Sequence, residues 1–152
     1  MAVLGVRCSN TDYAYCVLSG TRDAPSVEAA ELILFPKGFS EPELLKWLHQ
    51  EMAKVFNSHE CGAVGIKKPE VPVKRSNSLE TRIQCEAIVS LAAAEAGCLS
   101  VQRLVKASIA KRLGLKGKAN YLRTQLDTTP IDGFDDYTLK VQEAILVGWS
   151  CM

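Results

Sequence analysis

Residues Cys61 to Gly97 read CGAVGIKKPEVPVKRSNSLETRIQCEAIVSLAAAEAG, and the fold class turns on them. Ala63 to Ile66 is an apolar run too short for a helix and flanked by glycine, which predicts a buried strand. Lys67-Lys68-Pro69 ends it, because proline cannot donate to a ladder and restricts the residue before it. A charged loop carrying Pro72 follows. Asn77 is a helix-capping residue type, and Glu80 stands three positions on, the capping-box spacing. Leu79, Ile83, Ala87 and Leu91 recur every four residues, with Cys85, Ile88, Val89 and Ala92 widening the stripe, so the helix is predicted to be mostly buried and to stop at Gly97. A central strand feeding a buried helix points to an α/β fold whose functional surface lies where the strand ends. Lys67 and Lys68 stand at that end.

The rest of the chain supplies the partners of this unit. Its 152 residues, 47% hydrophobic and 23% charged, suit one soluble globular domain spanning 1–152. No apolar run has the length of a membrane span, and MAVLGVRCSN lacks a charged segment ahead of an apolar one, so a cytoplasmic protein (nuclear if eukaryotic) is expected. Cys8, Cys16, Cys61, Cys85, Cys98 and Cys151 are scattered without a C-x-x-C. They read as small buried hydrophobes in a reducing compartment rather than a disulfide framework or zinc site. Cys8, beside Arg7, is the one candidate for a reactive thiolate.

Val3 to Val6 and Tyr13 to Leu18 read as a hairpin around Ser9-Asn10-Thr11-Asp12, followed by a polar loop from Gly20 to Ser26. Glu28 to Phe35 supplies a third strand. Ser40-Glu41-Pro42-Glu43 opens a helix with serine cap, early proline and capping-box glutamate, and Leu44, Leu45, Leu48, Met52, Val55 and Phe56 form its buried stripe. Cys98 to Leu104 is a fifth strand, and Val105, Ile109 and Leu113 mark a short helix ending at Gly114. Asp127 to Gly133 reads as an exposed connection, and a last helix starts near Asp135-Asp136. The order is β-β-β-α-β-α-β-α-α: a mixed five-stranded sheet flanked by helices, an order that several five-stranded α/β arrangements share.

Net charge is +1 but unevenly spread. Seven basic residues and no acid lie between Arg103 and Arg123, and five acids oppose one lysine from Asp127 to Glu143. The basic run forms either a solvated surface with compensating patches or an anion-binding edge built from Arg103, Lys106, Lys111, Arg112, Lys116 and Lys118. His49 and His59 are too far apart to share a helix face, and no P-loop, G-x-S-x-G or G-x-G-x-x-G occurs.

LGVRCSN with its hairpin, AVGIKKP before the long helix, VKASIAKRLGLKGKA after the fifth strand and VQEAILVG in the final helix occur in an order that resembles the ribonuclease H-like superfamily, most closely the RuvC-type Holliday-junction resolvases. The likeness spans most of the chain. It implies the ribonuclease H-like sheet, and in active members a pair of magnesium or manganese ions held by four carboxylates and cutting nucleic acid. Carried over by position, the first-strand acid falls on Arg7, the fourth-strand acid on Lys67 or Lys68, and the last-helix acids on Lys140 and Glu143. Only Glu143 keeps a carboxylate. A cation at such a position repels a divalent ion and suits an anion instead.

Three readings follow. The first is a catalytically degenerate ribonuclease H-like module, with no resident metal, that binds nucleic acid through the basic run or binds a protein partner. The second is a magnesium- or manganese-dependent nuclease with rearranged carboxylates, for which Asp12, Glu70, Glu80, Asp135 and Asp136 would have to converge. Of these, Glu80, Asp135 and Asp136 are explained by helix capping, and Asp12 and Glu70 read as ordinary loop acids. The third is a structural homodimer formed through the long central helix, as the family's resolvases are dimers.

Overall fold

Alternation decides which side of each strand meets which helix. The computed structural model describes residues 1–71 and 74–152, so the loop residue Pro72 lies outside the described residues. Strands β1 (Ala2–Cys8), β2 (Asp12–Thr21) and β3 (Ala24–Leu34) precede helix α1 (Glu41–Ser58). Strand β4 (Cys61–Lys67), helix α2 (Asn77–Glu95) and strand β5 (Ser100–Leu104) follow. Helix α3 (Lys106–Arg112), the single turn α4 (Tyr121–Thr124) and helix α5 (Leu139–Trp149) complete the chain. The sheet order is β3-β2-β1-β4-β5, antiparallel from β3 to β1 and parallel from β1 to β5. This is the mixed five-stranded, helix-flanked α/β sheet expected from the element order.

Leu4, Val6 and Cys8 of β1, with Tyr13 and Val17 of β2 and Val64 and Ile66 of β4, form one core with Leu48, Met52 and Phe56 of α1 and Cys85 and Val89 of α2. Each of the large apolar side chains here contributes roughly 1.5–3 kcal/mol by leaving water. Tyr13, Tyr15, Phe35 and Trp47 close its β2 side with ring centroids 6.0 to 6.3 Å apart. The opposite face belongs to α5. There Ala14, Cys16 and Leu18 of β2 meet Val141, Ala144, Ile145 and Trp149.

Where α5 crosses the middle of β1 and β4, the strand residues beneath it are Gly5 and Gly65, which carry no side chain. A Cβ on Gly5 would lie 2.8 Å from the Gly148 nitrogen and overlap the Ala144 carbonyl; one on Gly65 would lie 2.6 Å from the Val147 oxygen. Helix backbone therefore rests directly on the backbone of β1 and β4.

Several local expectations need correction. β2 and β3 continue to Thr21 and from Ala24, so the polar loop expected over Gly20–Ser26 shrinks to the turn Arg22-Asp23. The turn is held by α5: Trp149 Nε1 donates to the Arg22 carbonyl at 2.8 Å, and Arg22 donates to the carbonyls of Ser150 and Met152. Pro25 is tolerated because β3 is an edge strand. The cap of α2 is Ser76, whose hydroxyl accepts from the Leu79 amide, not Asn77; Glu80 accepts from Arg75 at 2.8 Å instead of closing a capping box. The Ile83–Ala87–Leu91 row of α2 is exposed, and Cys85, Glu86, Val89, Ala92 and Ala93 form its buried face. Asp135 and Asp136 lie in a 3-10 turn, Phe134–Asp136, and α5 starts only after Thr138. The 127–133 connection is pinned by Ile131, which is 2% exposed. The Ser40–Glu43 capping box and the Gly97 stop, φ +78°, are present as read. No helix of the described residues is long and apolar enough to cross a membrane.

Because α5 touches backbone at Gly5, the strand must move if a methyl is added there. Gly5→Ala is expected to destabilise the protein by about 3 kcal/mol or more, whereas Gly38→Ala, where a Cβ meets nothing within 4 Å, is limited to the smaller strain of its positive φ. Urea unfolding of the two variants against the parent checks this.

Candidate functional site

The carboxyl ends of β1 and β4, the start of α2 and the first residues of α3 and α5 surround a cleft of about 530 Å³. Sheet alternation puts Arg7 on the same face as Gly5, and Lys67 on the same face as Gly65. Both therefore project toward α5 where it leaves the sheet. The close contact at Ala144 brings the preceding residue, Glu143, to Arg7, whose Nε donates to Glu143 Oε2 at 2.8 Å. Lys106, at the start of α3, approaches Glu143 Oε1 at 3.2 Å. Burial alone would push the Glu143 carboxyl up, but the hydrogen bond and charge of Arg7 and the charge of Lys106 together hold it below its ordinary value.

Lys67 is almost wholly enclosed. Its ammonium donates to the Lys68 carbonyl at 2.6 Å and to Glu70 Oε2 at 3.0 Å. Burial draws its pKa down, against the upward pull of Glu70. Glu70 is not an ordinary loop acid, since both of its oxygens also accept from the Lys106 backbone amide. Asp12 is not one either: it is 5% exposed and receives the Lys140 ammonium at 2.7 and 2.8 Å and the Ser9 hydroxyl at 2.5 Å.

Arg82 and Glu86 were missed as site residues. Arg82 lines the cleft and donates to the Lys67 carbonyl at 2.8 Å. Glu86 sits behind it, fully buried, receiving Arg103 Nη2 at 2.9 Å. Burial raises the Glu86 carboxyl and the Arg103 bond opposes that. Arg82 Nε and Glu86 Oε1 face each other at 3.8 Å, and neither has a hydrogen-bond partner among the described residues. The signal was their spacing: positions 82, 86, 89 and 93 lie on one helical face with Val89 and Ala93, so an ion pair there is turned inward.

Of the residues singled out from the sequence, the structure brings Arg7, Lys67, Glu70, Lys106 and Glu143 together in the cleft. Lys140 is held by Asp12 instead of facing Glu143, and neither it nor Lys68 lines the cleft. The basic run is not one edge. Arg103 points to the α2 side, Arg112 donates to Gln102, and Lys118 lies over the Tyr121 ring at 5.7 Å. Cys8 is fully buried and burial pushes its thiol well up, the reverse of a reactive thiolate.

Counted by side chain, the cleft presents Arg7, Lys67, Arg82 and Lys106 against Glu70 and Glu143. These residues do not fit the pair of divalent ions that the resemblance implies. Glu143 and Glu70 are each bound to cations, Glu80 and Asp135 do not join them, and among the described residues no group of three or more His, Cys, Asp or Glu could hold a metal ion.

No protein-family model and no curated protein matches the sequence. Solved structures do match. RuvC of Thermus thermophilus superposes with a TM-score of 0.75 at 17% identity, covering 99% of this chain and 92% of that one. The same protein in complex with a Holliday junction substrate gives 0.73 at 16% identity, over 99% and 91%. A yeast mitochondrial Holliday junction resolvase gives 0.64 at 10%, over 97% and 75%.

A carboxyl held low in the fold stabilises it while ionised. That contribution is present above the unfolded glutamate value of about 4.3 and is lost as pH falls through the lower folded value. Glu143→Gln is therefore expected to cost about 1–2 kcal/mol at neutral pH. The gap from the parent should close as melting is measured below about pH 4.

Proposed function

On this RuvC-like, ribonuclease H-like fold, we propose that residues 1–152 form one domain that has lost metal-dependent cleavage and grips the phosphates of nucleic acid in the cleft between β1, β4 and α5. The observation that carries the proposal is the convergence of four cations on the end of the sheet with only two carboxylates among them. Both carboxylates act as braces. Glu143 aims Arg7 and Lys106, Glu70 aims Lys67, and the guanidinium and ammonium protons that remain are left to an anion. Two of the similar structures concern Holliday junctions, one of them with the junction bound, which supports nucleic acid as the class of ligand. The six cysteines are free thiols, consistent with a cytoplasmic setting.

Labelled four-way junction, duplex and RNA–DNA hybrid, incubated with manganese or with chelator and resolved on one gel, report binding and cutting together. Binding without cleavage is expected. With about three phosphates engaged, affinity should fall roughly 40-fold between about 50 and 200 mM salt, and Lys106→Glu should weaken it tenfold or more. Chelator-sensitive cleavage that disappears in Glu143→Ala would instead establish a nuclease with rearranged carboxylates. Absence of both binding and cleavage would leave a protein partner as the cleft's ligand.

A second reading has its own observation. Ile83 and Leu91 are 43% and 49% exposed on α2, with Ala87 between them. An apolar row left outside the core supports a homodimer through this helix. Sedimentation equilibrium is expected to give twice the chain mass for the parent and the single mass for Ile83→Glu with Leu91→Glu; a monomeric parent rejects the dimer.

A further inference from the structure

The cationic cleft opens into a second groove of about 720 Å³. The two share Lys67, Lys106 and Glu143, so they are one continuous surface and not separate pockets. Their chemistry differs. Beyond Lys106 the walls become apolar, formed by Ile109 and Leu122 from α3 and α4 and by Phe134, Leu139 and Leu146 from the end of the chain. Asn120, Thr128 and Gln142 supply neutral polar groups at intervals.

Two features show an arranged surface. Leu139, in the first turn of α5, is 80% exposed at the groove, although it heads an otherwise well-buried helix. Phe134 is braced from behind: Gln142 Nε2 donates to its carbonyl at 3.1 Å, which fixes the 3-10 turn that presents the ring. A ligand spanning both clefts must offer an anion at the Lys67–Lys106 end and a flat, largely apolar body with a few polar edges at the Phe134 end. The groove volume falls within the roughly 300–1,000 Å³ of small-ligand sites. Aromatic and aliphatic walls of this kind hold unstacked bases.

We propose that the cleft and the groove form one site for a nucleotide unit, with its phosphate on Arg7, Lys67 and Lys106 and its base against Phe134 and Leu139. This rests on the phosphate reading of the cleft and extends it by naming what the phosphate is attached to. The unit is either a free nucleotide or a single unpaired nucleotide within a strand. In both, the base leaves water for the groove while the phosphate stays beside the paired cations. Asp135 and Arg123 also line the groove and supply charged groups for the polar edge of the base.

Calorimetric titration separates the parts. Adenosine monophosphate, ribose 5-phosphate and inorganic phosphate are titrated in turn, followed by a DNA hairpin carrying one unpaired adenosine and its fully paired counterpart. Either adenosine monophosphate is expected to bind at least tenfold more tightly than ribose 5-phosphate, or the bulged hairpin at least tenfold more tightly than the paired one; the first assigns the site to free nucleotides, the second to nucleic acid. Leu139→Asp, at an exposed position, should abolish that preference and leave phosphate binding unchanged. Equal affinity for all phosphate ligands, unaltered by Leu139→Asp, overturns the base site while sparing the phosphate site. No affinity for any of them, phosphate included, overturns both.

Discussion

The contact on which the remaining structure depends is between two stretches of backbone. Helix α5 lies on β1 and β4 where Gly5, Gly65 and Gly148 leave no side chain between them, and this closeness fixes the helix along and around its own axis. A helix held off by side chains can rotate a little at small cost. One resting on carbonyls and amides cannot, because every displacement brings main-chain atoms into overlap. Glu143 is consequently delivered to Arg7, and Trp149 to the β2–β3 turn, by the same contact. Site geometry is thus a by-product of core packing.

Electrostatically, the site is a set of cations each held by a carboxylate. Arg7 and Lys106 share Glu143, Lys67 leans on Glu70, Arg103 is tied to buried Glu86, and Lys140 closes on Asp12. Such pairing limits mutual repulsion among the cations and keeps the side chains ordered before any ligand arrives. Pre-ordered side chains lose less freedom on binding. The same pairing leaves Glu70, Glu143 and Asp12 each engaged with a cation, which opposes a hard divalent ion at those carboxylates.

The order of strands and helices was legible because short apolar runs, glycine stops and the Ser40 box are local signals. The sheet's partners were not all local. The turn at Arg22-Asp23 looked like open loop because its anchors, Trp149 and the residues after it, lie far along the chain. In helix α2 two overlapping stripes fit the sequence: Cys85, Val89 and Ala92 of the expected stripe are buried, whereas Ile83, Ala87 and Leu91 are exposed. The row from Leu79 to Leu91 is the more hydrophobic, yet the sheet took the row containing Glu86, whose charge is satisfied by Arg103 from a different element. Arg7, Lys67 and Glu143 were legible by position in the order of motifs that resembles the RuvC-type resolvases. Arg82 lay outside that order, and Asp12 and Glu70, taken for loop acids, gain Lys140 and the Lys106 amide from tertiary contact.

The seating of α5 also bears on how the chain is made. Gly5 and its neighbours emerge from the ribosome well before the residues that cover them, 144 to 148, which come some 140 positions later. Until then one face of β1, β2 and β4 has only water against it, while the other already has α1 and α2. A ribosome-bound nascent chain of this protein therefore carries a half-dressed sheet until those residues emerge. Chaperones that recognise exposed apolar strands have a defined interval in which to act, and it closes when the last helix docks.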